Sequence, residues 1–359
     1  MKEYLVQKLP LIEQEIDNLL KVKIDQEWYR KNVDEQMSGL DKQARNKLEF
    51  DAEAWEEAIN KPMIDMLERG GKRLRPIMCV LMHEMFGGQE KNIYKLAVLP
   101  ELIHNATLMV DDIEDNSLTR RGKDCTYRQF GVNIAVNNGN FFYFYPSCLA
   151  NKLISSEKQK LAISELICDK MMKLHIGQAM DIVWANNKSY DKINKEKYLL
   201  MSAYKTGALL SIAMQIGAIT AGADDNIRQA IDQMAIKMGV AYQIQDDILN
   251  LKAGEEWGKK IGEDITEGKI TLLVVEALNK ANEKDRIKLI DILKQKTTDQ
   301  ELIRTAIAIM ENYQIFDVTS QLANDLIQEC KNDLRQYWPT NHFSKIMNGL
   351  LDYLVARKK

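Results

Sequence analysis

Apolar residues recur along this chain at intervals of three and four rather than two, the period of helices packed on a core. Near the start, Leu5, Leu9, Ile12, Ile16 and Leu19 alternate steps of four and three and form one helical stripe that must pack on something. The same spacing predicts helices over residues 51–69, 76–86, 100–115, 134–153, 158–184, 195–221, 227–250 and 271–282, with more to the end. Pro76 and Pro100 suit first helical turns, where a missing amide hydrogen costs nothing. Charged loops with glycine lie between: GGKRLRP at 70–76, TRRGKD at 119–124 and GEEWGKKIGEDITEGK at 254–269. The pattern is all-α, with one large domain over 51–359 and an N-terminal helical extension over 1–50.

Two places carry chemistry. In ELIHNATLMVDDIED, the residues Glu101, His104, Leu108, Asp111 and Asp115 share one helical face, with Asp112 beside them. Acids at a helix C-terminus oppose the macrodipole and one another, so a cation should compensate. In GVAYQIQDDILN, Gln243, either Asp246 or Asp247, and Asn250 again share a face, with Gly239 one turn earlier keeping it open. Each cluster alone is also an ordinary polar helix end. Together they read as two metal-binding helices, and hard divalent ions such as Mg²⁺ take carboxylate oxygens plus substrate phosphates.

Basic loops accompany the acids. GGKRLRP offers Lys72, Arg73 and Arg75 where glycines permit close approach to a diphosphate, yet it lacks the Ser or Thr of a Walker A loop. Arg120 and Arg121 follow the first cluster, and Lys260 and Lys269 follow the second. Of the histidines, His104 shares the face of Asp111, while His175, in HIGQAMD with Gln178 and Asp181, reads as structural. No HExxH or Cys/His spacing suggests zinc.

Composition acts mainly by exclusion. A formal charge of −3 over 359 residues gives no basic excess for nucleic acid. The five cysteines, with no CxxC pair, fit a reducing compartment, hence the cytoplasm. The first residues thread charges through their apolar positions unlike a signal peptide, and no other stretch looks long and apolar enough to span a bilayer.

The motifs GGKRLRP, HNATLMVDDIEDNSLTRRG, HIGQAMDIVW, KTGALL, YQIQDDILNL and EDITEGK, in this order, resemble the trans-isoprenyl diphosphate synthase family over about residues 62–281. Their wording is closest to eukaryotic-type geranylgeranyl diphosphate synthases, whose second motif also ends in Asn where this chain has Asn250. The resemblance implies one helical domain around a central active-site cavity, usually a homodimer, with three Mg²⁺ per site. It implies metal ligands at Asp111, Asp115 and Asp246, supported by Asp112, Asp247 and Asn250. Lys72, Arg75, His104 and Arg121 would hold isopentenyl diphosphate. Arg120, Lys205, Thr206, Gln243, Lys260 and Lys269 would hold an allylic diphosphate, whether dimethylallyl, geranyl or farnesyl. Lys205, Thr206 and Gln243 would also stabilise developing positive charge.

Product length should follow from the floor of the tunnel below Asp111. Neither Ala106 nor Thr107 is a bulky stopper, and Tyr143 and Phe144 lie where related C20 enzymes resemble this chain and place that floor. The expectation is geranylgeranyl diphosphate, with a farnesyl or longer-chain product as the rival. A terpene cyclase would carry an NDxxSxxxE-type second motif and no GGKRLRP, and a non-catalytic partner subunit could lose either acidic cluster; both clusters are present here.

Overall fold

The computed structural model describes residues 1–20, 27, 51–187, 190, 192–252 and 261–356. Helix α1 (Lys2–Leu20) leads. Asp51 then caps α2 (Ala52–Trp55) by accepting the Ala54 amide, and a π-turn (Glu56–Asn60) runs on into α3 (Lys61–Glu68). Helices α4 (Leu74–Met85) and α5 (Ile93–Glu114) follow, then a small antiparallel hairpin of β1 (Thr119–Arg120) and β2 (Lys123–Asp124). After α6 (Thr126–Phe130) come α7 (Val132–Leu153), α8 (Glu157–Asn187) and α9 (Lys195–Ser202). A second π-turn (Ala203–Gly207) joins α9 to α10 (Ala208–Thr220), and α11 (Asp225–Lys252) returns alongside. The remainder is α12 (Glu263–Glu267), α13 (Leu272–Lys280), α14 (Glu283–Gln295), α15 (Gln300–Asn312), α16 (Ile315–Tyr337) and α17 (His342–Ala356).

The all-α reading holds, and the hairpin is the one β element among the described residues. Helix α10 is the centre: every residue from Ala208 to Thr220 is buried, as a helix apolar on all sides requires. This corrects the expectation about membrane-length stretches. Residues Lys195–Thr220 are long and apolar enough by length and composition, but most of that run is buried inside the protein. Helix α1 lays Tyr4, Ile12 and Ile16 into the same core, with Leu5, Leu9 and Leu19 packed against it. It therefore packs on the main body, and residues 21–26 and 28–50 of the expected extension lie outside the described residues.

Pro100 does not start a helix: α5 begins at Ile93 and carries Pro100 in its interior. Burial of Ile93, Leu96, Ala97 and Leu99 outweighs the roughly 3 kcal/mol that an interior proline costs.

Glycines set the closest helix crossings. A Cβ at Gly217 would fall inside contact with the Cys79 carbonyl oxygen of α4 and 2.9 Å from Met82 Cβ. A Cβ at Gly139 of α7 would lie 2.6 Å from Val110 Cγ2 of α5. Gly217→Ala is expected to destabilise the protein by about 3 kcal/mol, because backbone must move to admit the methyl. Urea denaturation reads this directly, and a loss under about 0.5 kcal/mol would show that the crossing is looser than described.

Candidate active site

The acidic end of α5 faces cations from three other segments. Lys205 Nζ lies 3.2 Å from Asp111 and 2.7 Å from Asp181 of α8, and the Gln178 amide donates to Asp111 at 2.8 Å. Lys269 binds Asp115 at 2.8 Å and Glu267 at 2.6 Å. Burial pushes the Asp111 carboxyl up, but Lys205, Lys269 and Arg120 outweigh it and hold the group well below the usual carboxylate range. Asp115 moves the other way, because burial and repulsion from Asp111 and Glu267 exceed the pull of Lys269. Both lysines are desolvated, yet the surrounding carboxylates keep their ammonium groups above the ordinary value.

The second acidic helix joins the same space. Asp247 is buried, accepts the Tyr198 hydroxyl at 2.6 Å and the Gln243 amide at 2.8 Å, and is pushed up to about 7 by burial and by Asp246 and Asp181. Asp181 is thus near enough to repel Asp247 while Lys205 ties it to Asp111, so the two acidic helices meet through Asp181. Asn250 is buried too, and its Oδ1 accepts the Asp264 amide at 3.1 Å. Asp247 and Asn250, expected beside the metal, are anchored inward, whereas Asp246 is only partly buried. The reason is helical geometry: consecutive residues point roughly 100° apart, so an adjacent pair divides between core and cavity.

The π-turn supplies the remaining wall. It carries Lys205 and Thr206, and the Thr206 hydroxyl donates to Gln243 Oε1 at 2.7 Å. Gly177 of α8 admits this turn closely, since a Cβ there would lie 2.7 Å from the Lys205 amide nitrogen. Gly239 was expected to keep a face open; instead, a Cβ there would land on the Gly207 backbone, so the glycine serves a helix crossing.

A basic cluster lies two turns back along the same face of α5, around His104. His104 Nδ1 and Arg75 Nε are buried without a hydrogen-bond partner. Burial lowers the pKa of His104, Arg75 and Arg121, and Arg75, Arg121 and Arg120 depress His104 further. Arg121 donates to the Gly70 carbonyl and, at 3.4 Å, to the Met66 carbonyl and Asn105 Oδ1. Clustered guanidinium groups with unused donors suit an anion, and Glu101 is the carboxylate near both Arg75 and Arg121. Lys72 stands nearby on the exposed loop, 5.9 Å over the Tyr353 ring. Arg73, offered with them, faces inward instead: it is 3% exposed and binds Glu13 and Glu101.

Comparison with known proteins shows the family of the chain. The profile of the polyprenyl synthetase family matches residues 56–310. The chain belongs to the polyprenyl synthetase family. A short chain isoprenyl diphosphate synthase from Methanothermobacter thermautotrophicus is 34% identical over 272 residues, covering 75% of this chain and 81% of that one. A geranylgeranyl diphosphate synthase from Sulfolobus acidocaldarius is 30% identical over 294 residues, covering 81% and 88%. Among solved structures, a geranylgeranyl pyrophosphate synthetase from Pyrococcus horikoshii superposes with a TM-score of 0.80 at 27% identity, covering 99% of each chain.

For a polyprenyl synthetase, several expected positions need correction. Asp112 is fully buried and clasped by Arg120, whose Nε donates to it at 2.9 Å, so it braces the hairpin rather than facing the cavity. Ala106 is fully buried, its carbonyl facing the α7 crossing at Gly139, while half-buried Thr107 donates its hydroxyl to the His104 carbonyl at 2.7 Å. Phe144 is 73% exposed and is no tunnel floor within its own chain. Its neighbours Phe141, Phe142 and Tyr145 turn inward and cluster with Trp55 instead. Tyr143 is half-buried and meets His175 edge-on at 5.2 Å. Sequence reasoning missed Gln178 and Asp181 as site residues, although their spacing by three in HIGQAMD signalled a shared face. Lys260 lies outside the described residues.

Asp111 and Asp115 supply oxygen donors of the kind a hard divalent ion takes, and among the described residues no three acidic, His or Cys side chains converge to hold a metal on their own. A separate cleft of about 370 Å³ between α8, α10 and α11 has its charges internally matched, with Lys170 on Asp232 at 2.7 Å and Arg228 on Asp225 at 2.9 Å.

His104 gives a pH test. Its folded pKa lies well below 6.5, so below pH 6.5 the unfolded chain takes up a proton that the folded chain refuses. Stability is therefore complete above that value and lost as pH falls. Relative to His104→Gln, the wild type should lose stability from pH 7.5 to 5, at up to about 1.4 kcal/mol per pH unit. Parallel stability curves for the two proteins would contradict the assignment.

Proposed function

We propose that this chain joins isopentenyl diphosphate to an allylic diphosphate in 1'-4 head-to-tail fashion, making chiefly geranylgeranyl diphosphate. The observation that carries the reading is the cluster of Asp111, Asp115 and Asp181 around Lys205 and Lys269, linked through Asp181 to the helix of Asp246 and Asp247, with Arg75, His104 and Arg121 two turns back along α5.

Lys205, Lys269 and Arg120 bind the allylic diphosphate and lie where its charge grows as the carbon–oxygen bond breaks. Mg²⁺ held by Asp111, Asp115 and Asp246 would supply Lewis-acid neutralisation of that leaving group. Arg75, His104, Arg121 and Lys72 hold isopentenyl diphosphate so that its double bond attacks the allylic carbon. A new carbon–carbon bond forms, and the proton lost from the adduct passes to the released diphosphate. Thr206 and Gln243, fixed to one another and to Asp247, present oxygen dipoles toward the transient cation. No protein nucleophile is needed, only exclusion of water.

The names of the Sulfolobus and Pyrococcus relatives support a C20 product, and so does the edge-on Tyr143 and His175 pair, with Tyr143 close enough to feel the Asp111 charge. A homodimer is supported by exposed apolar stripes on two neighbouring helices, Val132, Val136 and Phe144 on α7, and Met172, Ile176 and Val183 on α8. All five cysteines are free thiols, which fits the cytoplasm.

Asp111→Ala and Asp246→Ala should each lower kcat by at least about 10²-fold without unfolding the chain, measured with isopentenyl and allylic diphosphates in Mg²⁺. Near-normal turnover in either variant defeats the reading. Tyr143→Ala should shift the products beyond C20 by mass spectrometry; an unchanged product profile places the length limit elsewhere.

A further inference from the structure

Helix α1 is firmly seated. Tyr4, Ile12 and Ile16 are buried, and Tyr4 and Lys8 both bond Glu84, with Lys8 also 3.0 Å from the Tyr94 hydroxyl. Beside Ile12, the Glu13 carboxylate accepts Arg73 Nε at 2.8 Å and Nη2 at 3.3 Å. Arg73 also donates to buried Glu101 at 3.0 Å and to the Leu67 carbonyl at 2.8 Å. Its backbone is left-handed, with φ 47° and ψ 33°, a conformation that an L side chain resists. The side-chain clamp is what holds it there.

This turn sits inside GGKRLRP. Lys72 precedes Arg73 and Arg75 follows two residues later, and the Arg73 and Arg121 guanidinium groups both pack against Gly71, where a Cβ would lie 3.4 Å from each. Were Arg73 released, residue 73 would relax toward negative φ and carry Lys72 and Arg75 with it.

We infer that Glu13 is a positioning residue for isopentenyl diphosphate: by clamping Arg73, the N-terminal helix fixes the turn that presents Lys72 and Arg75 beside His104 and Arg121. The identity of the ligand rests on the function proposed above. The sign of the effect is informative. Removing a carboxylate makes the neighbourhood more positive, which by itself would tighten diphosphate binding; Glu13 is half exposed, so solvent screens that gain. Loss of the turn acts the opposite way and should dominate.

Steady-state kinetics on the full chain test this. Glu13→Ala is expected to raise the KM for isopentenyl diphosphate about tenfold, the scale of one lost charge-assisted pair. The kcat and the allylic KM should stay within about twofold. Glu13→Gln, which keeps an oxygen for Arg73, should recover part of the loss. An unchanged or lowered KM for isopentenyl diphosphate in both variants overturns the inference. Calorimetric titration with inorganic pyrophosphate in EDTA reads the basic pocket without turnover, and affinity should fall from wild type through Glu13→Gln to Glu13→Ala. Equal affinities overturn the inference as well. A wild type that forms no product yet shows this order supports the inference and counts against the proposed function alone.

Discussion

Burying several charges together without leaving any alone is the constraint on which this structure depends. Asp111, Asp115 and Asp181 crowd together, and their repulsion is tolerable because Lys205 and Lys269 are threaded between them. Pairs of this kind add little net stability once desolvation is counted, but losing one partner leaves an uncompensated charge. The site is therefore held as a unit. It also explains how a substrate-free protein can keep ionised carboxylates ready for metal ions and polyanions, since the lysines balance them meanwhile.

The positions of those lysines come from backbone irregularities rather than from regular helix. Lys205 stands in a π-turn, pressed against α8 at Gly177 and against α11 through Gly207 and Gly239. Any larger residue at these glycines would push the helices apart and carry Lys205 away from Asp111 and Asp181. Packing and chemistry are the same constraint here, because the contact that closes the core also aims the ammonium group.

On the basic side, five guanidinium groups and the neutral His104 imidazole divide by partner. Arg69 is held by Asp65 and Arg73 by Glu13 and Glu101, so each of these braces a turn, while Arg120 is tied to Asp112. Arg121 finds only carbonyl oxygens, and Arg75 and His104 each retain an unpartnered buried nitrogen. The division leaves unspent donors in one place rather than spreading them over a basic patch.

The sequence alone determined the helical class, the two acidic helix ends and the basic loops, because period and residue type are local properties that survive without coordinates. Most helix limits were legible to within a turn, and Pro100 misled because burial around Ile93 overrides a local propensity. Only the tertiary structure decided which member of each neighbouring pair is anchored inward. Asp111 against Asp112, Asp246 against Asp247, Arg75 against Arg73 and Tyr143 against Phe144 are alike in sequence and differ in burial and partners. It likewise brought in Gln178, Asp181 and Glu13, whose roles depend on helices distant along the chain. A side chain's orientation is set by what packs against its helix, and that information lies in the neighbours rather than in the residue.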